Sequence, residues 1–346
     1  MSAFSEIAIV LTISFVLTAL LTGAIRLYAI SRGMLDRPGG RTSHTLPTPR
    51  GGGLAVTLMV TVIFIGGWLL GERADSSAFE SLAIVVLVAF AVAAVGFWDD
   101  HGHVRSGIRL LIHLVAGLTL TLCLPDFAVY VLTFNVAAGV LGICLLTLLT
   151  AWYINLFNFM DGIDGIAGLE AMFVFAGYGA LAYAFGDSEL VLPALCVLVS
   201  VAGFLLWNFP RARIFMGDAG SGFLGVLIMG FLFTLSGAEE NLFWAGLILS
   251  GVFIVDASVT LLQRLARAEP VYQAHRTHAY QYAARHFDSH VIVTLAVLGL
   301  NVLWLLPMAW VAARGWLPGW LMLLLSYAPL LVLTLRFNAG RAEPQK

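Results

Sequence analysis

Four polar residues recur every third position in the string NLFNFMDGIDG, residues 155–165: Asn155, Asn158, Asp161 and Asp164. They follow 28 consecutive positions, 127–154, that carry no charge. Carboxylates and amides clustered in this way are the hard oxygen donors that a divalent cation and its phosphorylated ligands use. Steps of three drift by about −60° each on a 3.6-residue helix, so the four cannot share one face of a straight helix. They converge if the helix tightens or breaks, and Gly162 and Gly165 permit a break. Capping explains one aspartate at a helix end, not four spaced polar groups.

Four further strings carry polar groups of the same kind. GFWDDHGH (96–103) ends an apolar run with Asp99 and Asp100. Adjacent carboxylates at a membrane boundary repel each other and resist desolvation. They also oppose the macrodipole at a helix C-terminus, which favours a cation or proton site over a solvated charge pair. NFPRARIFMGDAGSGFLG (208–225) joins a short basic loop to another apolar run. Its small residues let backbone N–H groups approach a ligand, and a helix N-terminus welcomes phosphate. Asp218 there repels phosphate unless a divalent cation lies between them, so with the other aspartates it suggests a Mg²⁺–diphosphate site. PVYQAHRTHAYQYAARH (270–286) holds His275, Arg276 and His278 without a cysteine. That makes zinc a poor fit and hydrogen-bonding or cationic contacts to phosphate a better one; a solvated basic helix is the bland alternative. DRPGGRTSHTLPTPRGGGLAV (36–56) is a basic loop with Arg37, Arg41, His44 and Arg50, and its glycines 51–53 suggest close backbone packing or ligand approach. Asp256 and Glu170 fall inside apolar runs, where a carboxylate is expensive and defaults to a functional hypothesis. Asp256 also suits a structural partner for a neighbouring helix.

The elements that must position these groups are membrane helices. Of 346 residues, 60% are hydrophobic and 11% charged, and the mean hydropathy is +0.94. One soluble core does not explain that imbalance; repeated spans do. Cys123, Cys144 and Cys196 lie in apolar runs and form no metal or redox pattern. Apolar runs near 5–29, 53–71, 80–98, 107–125, 132–154, 163–185, 190–208, 220–236, 241–263, 291–313 and 317–335 predict about eleven transmembrane helices in one domain, residues 1–346. Residues 126–132 are expected at the far surface. The first run carries Glu6 and lacks a basic leader, so it reads as a span and not a signal peptide. An odd number of spans places the termini on opposite sides. All of the 18 basic residues except Arg73 and Arg314 lie on or beside one set of loops. The positive-inside rule makes that side cytoplasmic, the N-terminus periplasmic and the C-terminus cytoplasmic. Every polar string above faces the same cytoplasmic side. A net charge of −2 points to no particular partner, and no nucleic acid is expected.

Taken in order, DD (99–100), NxxNxxDGxDG (155–165), NFPxARIFMGDAGS (208–221) and the histidine loop (275–278) resemble one family, the polyprenyl-phosphate N-acetylhexosamine-1-phosphate transferases. The likeness runs from about 36 to 290. The peptidoglycan branch usually carries consecutive histidines where this chain has AHRTHAYQ, and RTSHTLPTPRGGG looks most like the bacterial O-antigen initiators. The resemblance implies transfer of a sugar-1-phosphate from a UDP-N-acetylhexosamine to undecaprenyl phosphate in the bacterial inner membrane, with release of UMP. It implies Mg²⁺, replaceable by Mn²⁺, and a homodimer like that of relatives. On this basis Asp218 is the metal ligand, with Asp161 beside it. Asp99 orients or deprotonates the lipid phosphate with Asp100 in support, and Asn155, Asn158, Asp161 and Asp164 shape the metal–nucleotide pocket. Asn208 and Phe215 match nucleoside contacts, Phe215 by stacking on uracil, while His275, Arg276, His278, His44 and Arg50 bind substrate. Direct attack is preferred to a covalent aspartyl intermediate. The competing class, a proton- or cation-coupled secondary transporter, predicts midplane charges and repeated halves. No repeat is evident.

Overall fold

A chain this apolar can satisfy its backbone in lipid only as helices or a closed barrel, and it takes the helical route. The computed structural model describes residues 3–36, 46–69, 77–102, 104–124, 127–269 and 275–341. In chain order the helices are α1 Ala3–Ser31, α2 Leu54–Leu69, α3 Ser77–His101, α4 Ser106–Cys123, α5 Gly139–Phe159, α6 Ile166–Ala184 and α7 Val191–Asn208. They continue as α8 Gly217–Ser236, α9 Asn241–Leu249, α10 Gly251–Ala266, α11 Ala279–Phe287, α12 His290–Leu300, α13 Leu306–Ala313 and α14 Gly319–Arg336. Among the described residues, nine helical segments are long and apolar enough to cross a membrane. The molecule is an all-α integral membrane protein.

Each of the eleven expected runs corresponds to a helix, but two are not straight, full-length spans. The α2 run is short, and the ninth run breaks at Ser250 into α9 and α10, whose axes differ by 73°. The tenth widens into a π turn at Asn301–Leu305 between α12 and α13. Pro307 stands at the start of α13 and has no N–H to close the regular ladder behind it. The fifth span begins seven residues later than expected because residues 130–135 form a hairpin, β3 Tyr130–Val131 with β4 Phe134–Asn135. The Asn135 side chain accepts from the Val129 and Ala137 N–H groups at 3.1 Å each, which fixes that turn. A second two-strand pair, β1 Leu35–Asp36 with β2 Thr48–Pro49, precedes α2.

At the centre is α8, buried from Ala219 to Ser236 and packed against α3, α5, α6, α2 and α9. A helix apolar on all sides belongs in a core. Small residues let its neighbours come close, as membrane helices require where the hydrophobic drive between them is absent. Backbone meets backbone at the start of α2: a Cβ on Gly53 would lie 2.4 Å from the Gly220 Cα and 2.8 Å from Met216 Cγ. Gly66, later in α2, has nothing within 4 Å of its Cβ position. Gly53→Val therefore destabilises the protein by about 1–3 kcal/mol through overpacking, read as a lower thermal transition in detergent. Gly66→Ala leaves the transition at or slightly above the parent's, since alanine is the better helix former.

Candidate active site

The end of α3 meets the start of α8. A Cβ on Gly96 would lie 2.5 Å from the Asp218 carbonyl carbon and oxygen, so only glycine permits this contact. It brings the Asp100 carboxylate onto the first turn of α8, where it accepts from the N–H groups of Asp218 at 3.3 Å and Ala219 at 3.4 Å. These are among the donors a helix leaves unpaired at its N-terminus. The sequence suggests this terminus as a seat for phosphate; the structure fills it with Asp100, only 4% exposed. Arg50 reinforces the arrangement. Its Nη2 donates to the Asp100 carbonyl at 2.8 Å, and its Nε lies 3.9 Å from Oδ1. Arg50 is carried there by backbone pairing, in which Phe215 N–H donates to Pro49 O, Gly52 N–H to Phe215 O and Gly53 N–H to Met216 O, each at 2.8 Å. The glycine triplet thus serves close backbone packing.

Asp218 and Asp99 face one another across Arg109. Arg109 Nη1 donates to Asp218 Oδ2 at 2.7 Å and to Asp99 Oδ2. Asn158 Nδ2 donates to Asp218 Oδ1 and to Ser221 Oγ, both at 2.9 Å. Asp99 Oδ1 accepts from the Val104 N–H at 2.8 Å. Asn155 donates to the Ala151 carbonyl of its own helix at 2.7 Å. With His113, Arg109, Asn158 and Asp218 it lines a cavity of about 20 Å³.

The expected break falls after Phe159, leaving Asn155 and Asn158 on α5 and Asp161 and Asp164 in the loop to α6. Asn208 braces that loop: its Oδ1 accepts from Gly165 N–H at 3.0 Å and its Nδ2 donates to Ile214 O at 2.9 Å. With its side chain spent on two backbone segments and 3% exposed, Asn208 positions the site from behind. Burial, then the charges of Asp218, Asp100 and Asp164, push the Asp161 carboxyl well above the usual carboxylate range. Asp161 is the point where the α3–α8 cluster and the loop carboxylates meet. Asp164 Oδ2 lies 3.4 Å from His290 Nδ1 at the start of α12.

The histidine loop is tied to the membrane by Asp256 of α10. Its oxygens accept from the N–H groups of Ala279 and Tyr280, both at 2.9 Å, and Oδ1 lies 3.3 Å from His278 Nδ1. A carboxylate from one helix thereby caps the N-terminus of another, α11. His278 is 3% exposed and stacks on His275, ring centroids 4.9 Å apart. Burial first, then the neighbouring His278 and Arg264, push the His275 imidazole down to about 3 against the pull of Asp256. His275 is therefore an uncharged hydrogen-bonding group at neutral pH. Arg276 lines a separate cavity of about 480 Å³ with Phe215, Asp164, Arg211, Arg285 and His290. That volume suits a small-molecule ligand.

The structure brings together Asp99, Asp100, Asn158, Asp218 and Arg50 in one cluster, and Phe215, Asp164 and Arg276 around one cavity. His44 lies outside the described residues. Arg109, Ser221 and His290 were not singled out by sequence; Arg109 is a lone basic residue one turn into an apolar run, on the carboxylates' side. Glu170 is turned instead to Asn301, whose Nδ2 donates to it at 2.5 Å. Among the described residues no three His, Cys, Asp or Glu side chains form a ready metal cage. The donor set nonetheless fits Mg²⁺, which takes one or two carboxylates and completes its shell with phosphates and water. Burial, then the neighbouring carboxylates, raises Asp161, and a divalent cation beside it would favour its ionised form. Asp218, with Asp99 or Asp161, would hold it.

Asp256→Ala strips α11 of its cap and costs about 3 kcal/mol, read as a lower thermal transition. Faster tryptic cleavage after Arg276 and Arg285 accompanies it. His275 gives a pH signature of known sign. Its folded pKa lies below the unfolded value, so between about 6.5 and 3 the unfolded chain binds more protons and stability falls with pH. His275→Gln removes that component, and its thermal transition drops less than the parent's between pH 7 and pH 5.

Comparison with known proteins agrees with this geometry. Residues 82–236 match the model of glycosyl transferase family 4, a stretch from α3 through α8 that contains both aspartates of α3, the 155–165 string and Asp218. The chain is 31% identical over 290 residues to the decaprenyl-phosphate N-acetylglucosaminephosphotransferase of Mycolicibacterium smegmatis, covering 76% of this chain and 70% of that protein. Identity is 24% over 299 residues to a protein of Bacillus subtilis named as a probable undecaprenyl-phosphate N-acetylglucosaminyl 1-phosphate transferase, covering 84% and 81%. It is 28% over 263 residues to the phospho-N-acetylmuramoyl-pentapeptide-transferase of Lactiplantibacillus plantarum, covering 71% and 78%. The chain belongs to glycosyl transferase family 4, among the polyprenyl-phosphate N-acetylhexosamine-1-phosphate transferases.

Proposed function

We propose that the protein transfers N-acetylhexosamine-1-phosphate from a UDP-sugar to undecaprenyl phosphate, the initiating step of O-antigen and lipopolysaccharide glycan assembly, on the cytoplasmic face of the bacterial inner membrane. The observation that carries this reading is the juxtaposition at Asp161. The carboxylate cluster of Asp99, Asp100 and Asp218 adjoins a loop whose Asp164 lines the 480 Å³ cavity of Phe215, Arg276 and Arg285. One part suits a metal-bound diphosphate and the other a nucleoside.

In the proposed reaction an oxygen of the lipid phosphate attacks the phosphorus that bears the sugar. The bond from that phosphorus to the UMP oxygen breaks, and UMP leaves. Mg²⁺, when bound, supplies charge neutralisation for the diphosphate and the leaving phosphate. Asp99, anchored through Oδ1, orients the lipid phosphate or accepts its residual proton; phosphate monoesters lose that proton near pH 6, so little basicity is required. Asp100 holds the N-terminus of α8, and through it Asp218, in place. Phe215 stacks on uracil, and Arg276 and Arg285 meet the phosphates or sugar. His278 positions the loop that carries Arg276. An apolar cavity of about 570 Å³ between α10, α11, α12 and α14 is lined by Asp256 and Tyr280, which anchor that loop, and its lining suits a prenyl chain.

Purified protein given undecaprenyl phosphate, Mg²⁺ and a panel of UDP-N-acetylhexosamines should release UMP only when lipid and metal are both present. Absence of UMP across the panel, from protein with a cooperative thermal transition, overturns the substrate assignment. Asp218→Asn should lose about 10³-fold in rate, an effect of the size seen on removing one group that stabilises developing charge. His278→Ala should lose less, because it acts through the loop.

A further inference from the structure

We propose that Arg109 is a resident counter-cation of the metal position: its guanidinium holds the place between Asp99 and Asp218 that a divalent cation takes over. The inference rests on the reading of Asp218 as a metal ligand.

The contact has the form of a bridge. A single nitrogen, Nη1, donates to Asp218 Oδ2 at 2.7 Å and to Asp99 Oδ2. An arginine fixed permanently on a carboxylate usually presents two parallel N–H groups in a fork. Here the two carboxylates share one nitrogen, and Nε is buried without a partner. The side chain is 26% exposed and rises from the first turn of α4, so it has a way out toward solvent.

The carboxylates do not depend on Arg109 to stay in place. Asp218 is held through its other oxygen by Asn158, which is itself bonded to Ser221. Asp99 is held through its other oxygen by the Val104 N–H. Asp99 and Asp218 also lie within hydrogen-bond reach of each other, so withdrawal of the guanidinium leaves two preoriented carboxylates close enough to share one ion. One positive charge between two carboxylates undercompensates the local charge. A divalent ion compensates it better, and that difference drives the exchange. No covalent bond is made or broken: one ion pair is replaced by another. Until the exchange occurs, the arginine offsets part of the repulsion between the two carboxylates.

Mn²⁺ binding to the full-length protein in detergent, followed by electron paramagnetic resonance without substrate, tests this. Arg109→Gln should bind Mn²⁺ about five- to tenfold more tightly than the parent, as expected for loss of a partly exposed competing ion pair. Arg109→Lys, with a charge but a shorter reach, should fall between them and serves if the glutamine variant does not fold. Tighter metal binding is a gain that structural damage does not produce. Equal or weaker Mn²⁺ binding in both variants, with Asp218→Asn abolishing it, overturns the role of Arg109 and leaves the metal site standing. Retention of parental Mn²⁺ affinity by Asp218→Asn overturns the metal-ligand reading itself, and this inference with it.

Discussion

Mutual repulsion among Asp99, Asp100, Asp161, Asp164 and Asp218 is the constraint on which the rest of the structure depends. Two such charges 4 Å apart repel by about 4 kcal/mol at the effective dielectric of a protein surface. A few such pairs would consume the whole stability of an ordinary domain. Four of these five carboxylates are therefore given something to hold. Asp100 takes the N-terminus of α8 and Arg50; Asp99 and Asp218 share Arg109; Asp218 also takes Asn158; Asp164 meets His290. The compensating groups come from α4, α5, α12 and the segment before α2. Their convergence is what the bundle accomplishes, and the glycines at 53, 96 and 220 are the places where helices must nearly touch for it to happen.

Much of this was legible because polar residues are scarce in so apolar a chain. The aspartates stood out by contrast, and span positions followed from run length. What was not legible is what a side chain does once folded. Asn208 reads as a ligand-contacting amide, yet both ends of it are spent on the backbone of Gly165 and Ile214. Nothing local announces a bond across 43 residues of sequence. Arg109 was masked by a general rule, since basic residues are expected to gather beside one of the two membrane boundaries anyway. The late start of α5 escaped because Tyr130–Asn135 is as apolar as a span, and only the Asn135 turn makes it a hairpin. The break in the ninth run did carry a signal, the pair Ser250–Gly251, a known cause of kinks. Tyr153 donates to Ser250 Oγ at 2.9 Å, anchoring the bend to α5.

The loop that carries Arg276 and the loop that carries Asp161 are joined to one another as well as to the membrane helices. Tyr280, whose N–H is taken by Asp256, donates its hydroxyl to the Phe159 carbonyl at 3.0 Å. A Cβ on Gly162 would collide with that hydroxyl. The first aspartate-glycine pair in the 155–165 string, Asp161–Gly162, is thus shaped by a residue more than a hundred positions away. The two loops are held in register by a few bonds to the backbone at the bundle's end.

The bend at Ser250 has a consequence for reach. A helix of 16 residues such as α10 is about 24 Å long. Turned 73° from α9, it advances only about 7 Å along the direction of α9 and spends the rest of its length sideways. It carries Asp256, and with it the histidine loop, sideways from the line of α9. The break exchanges advance along α9 for lateral reach.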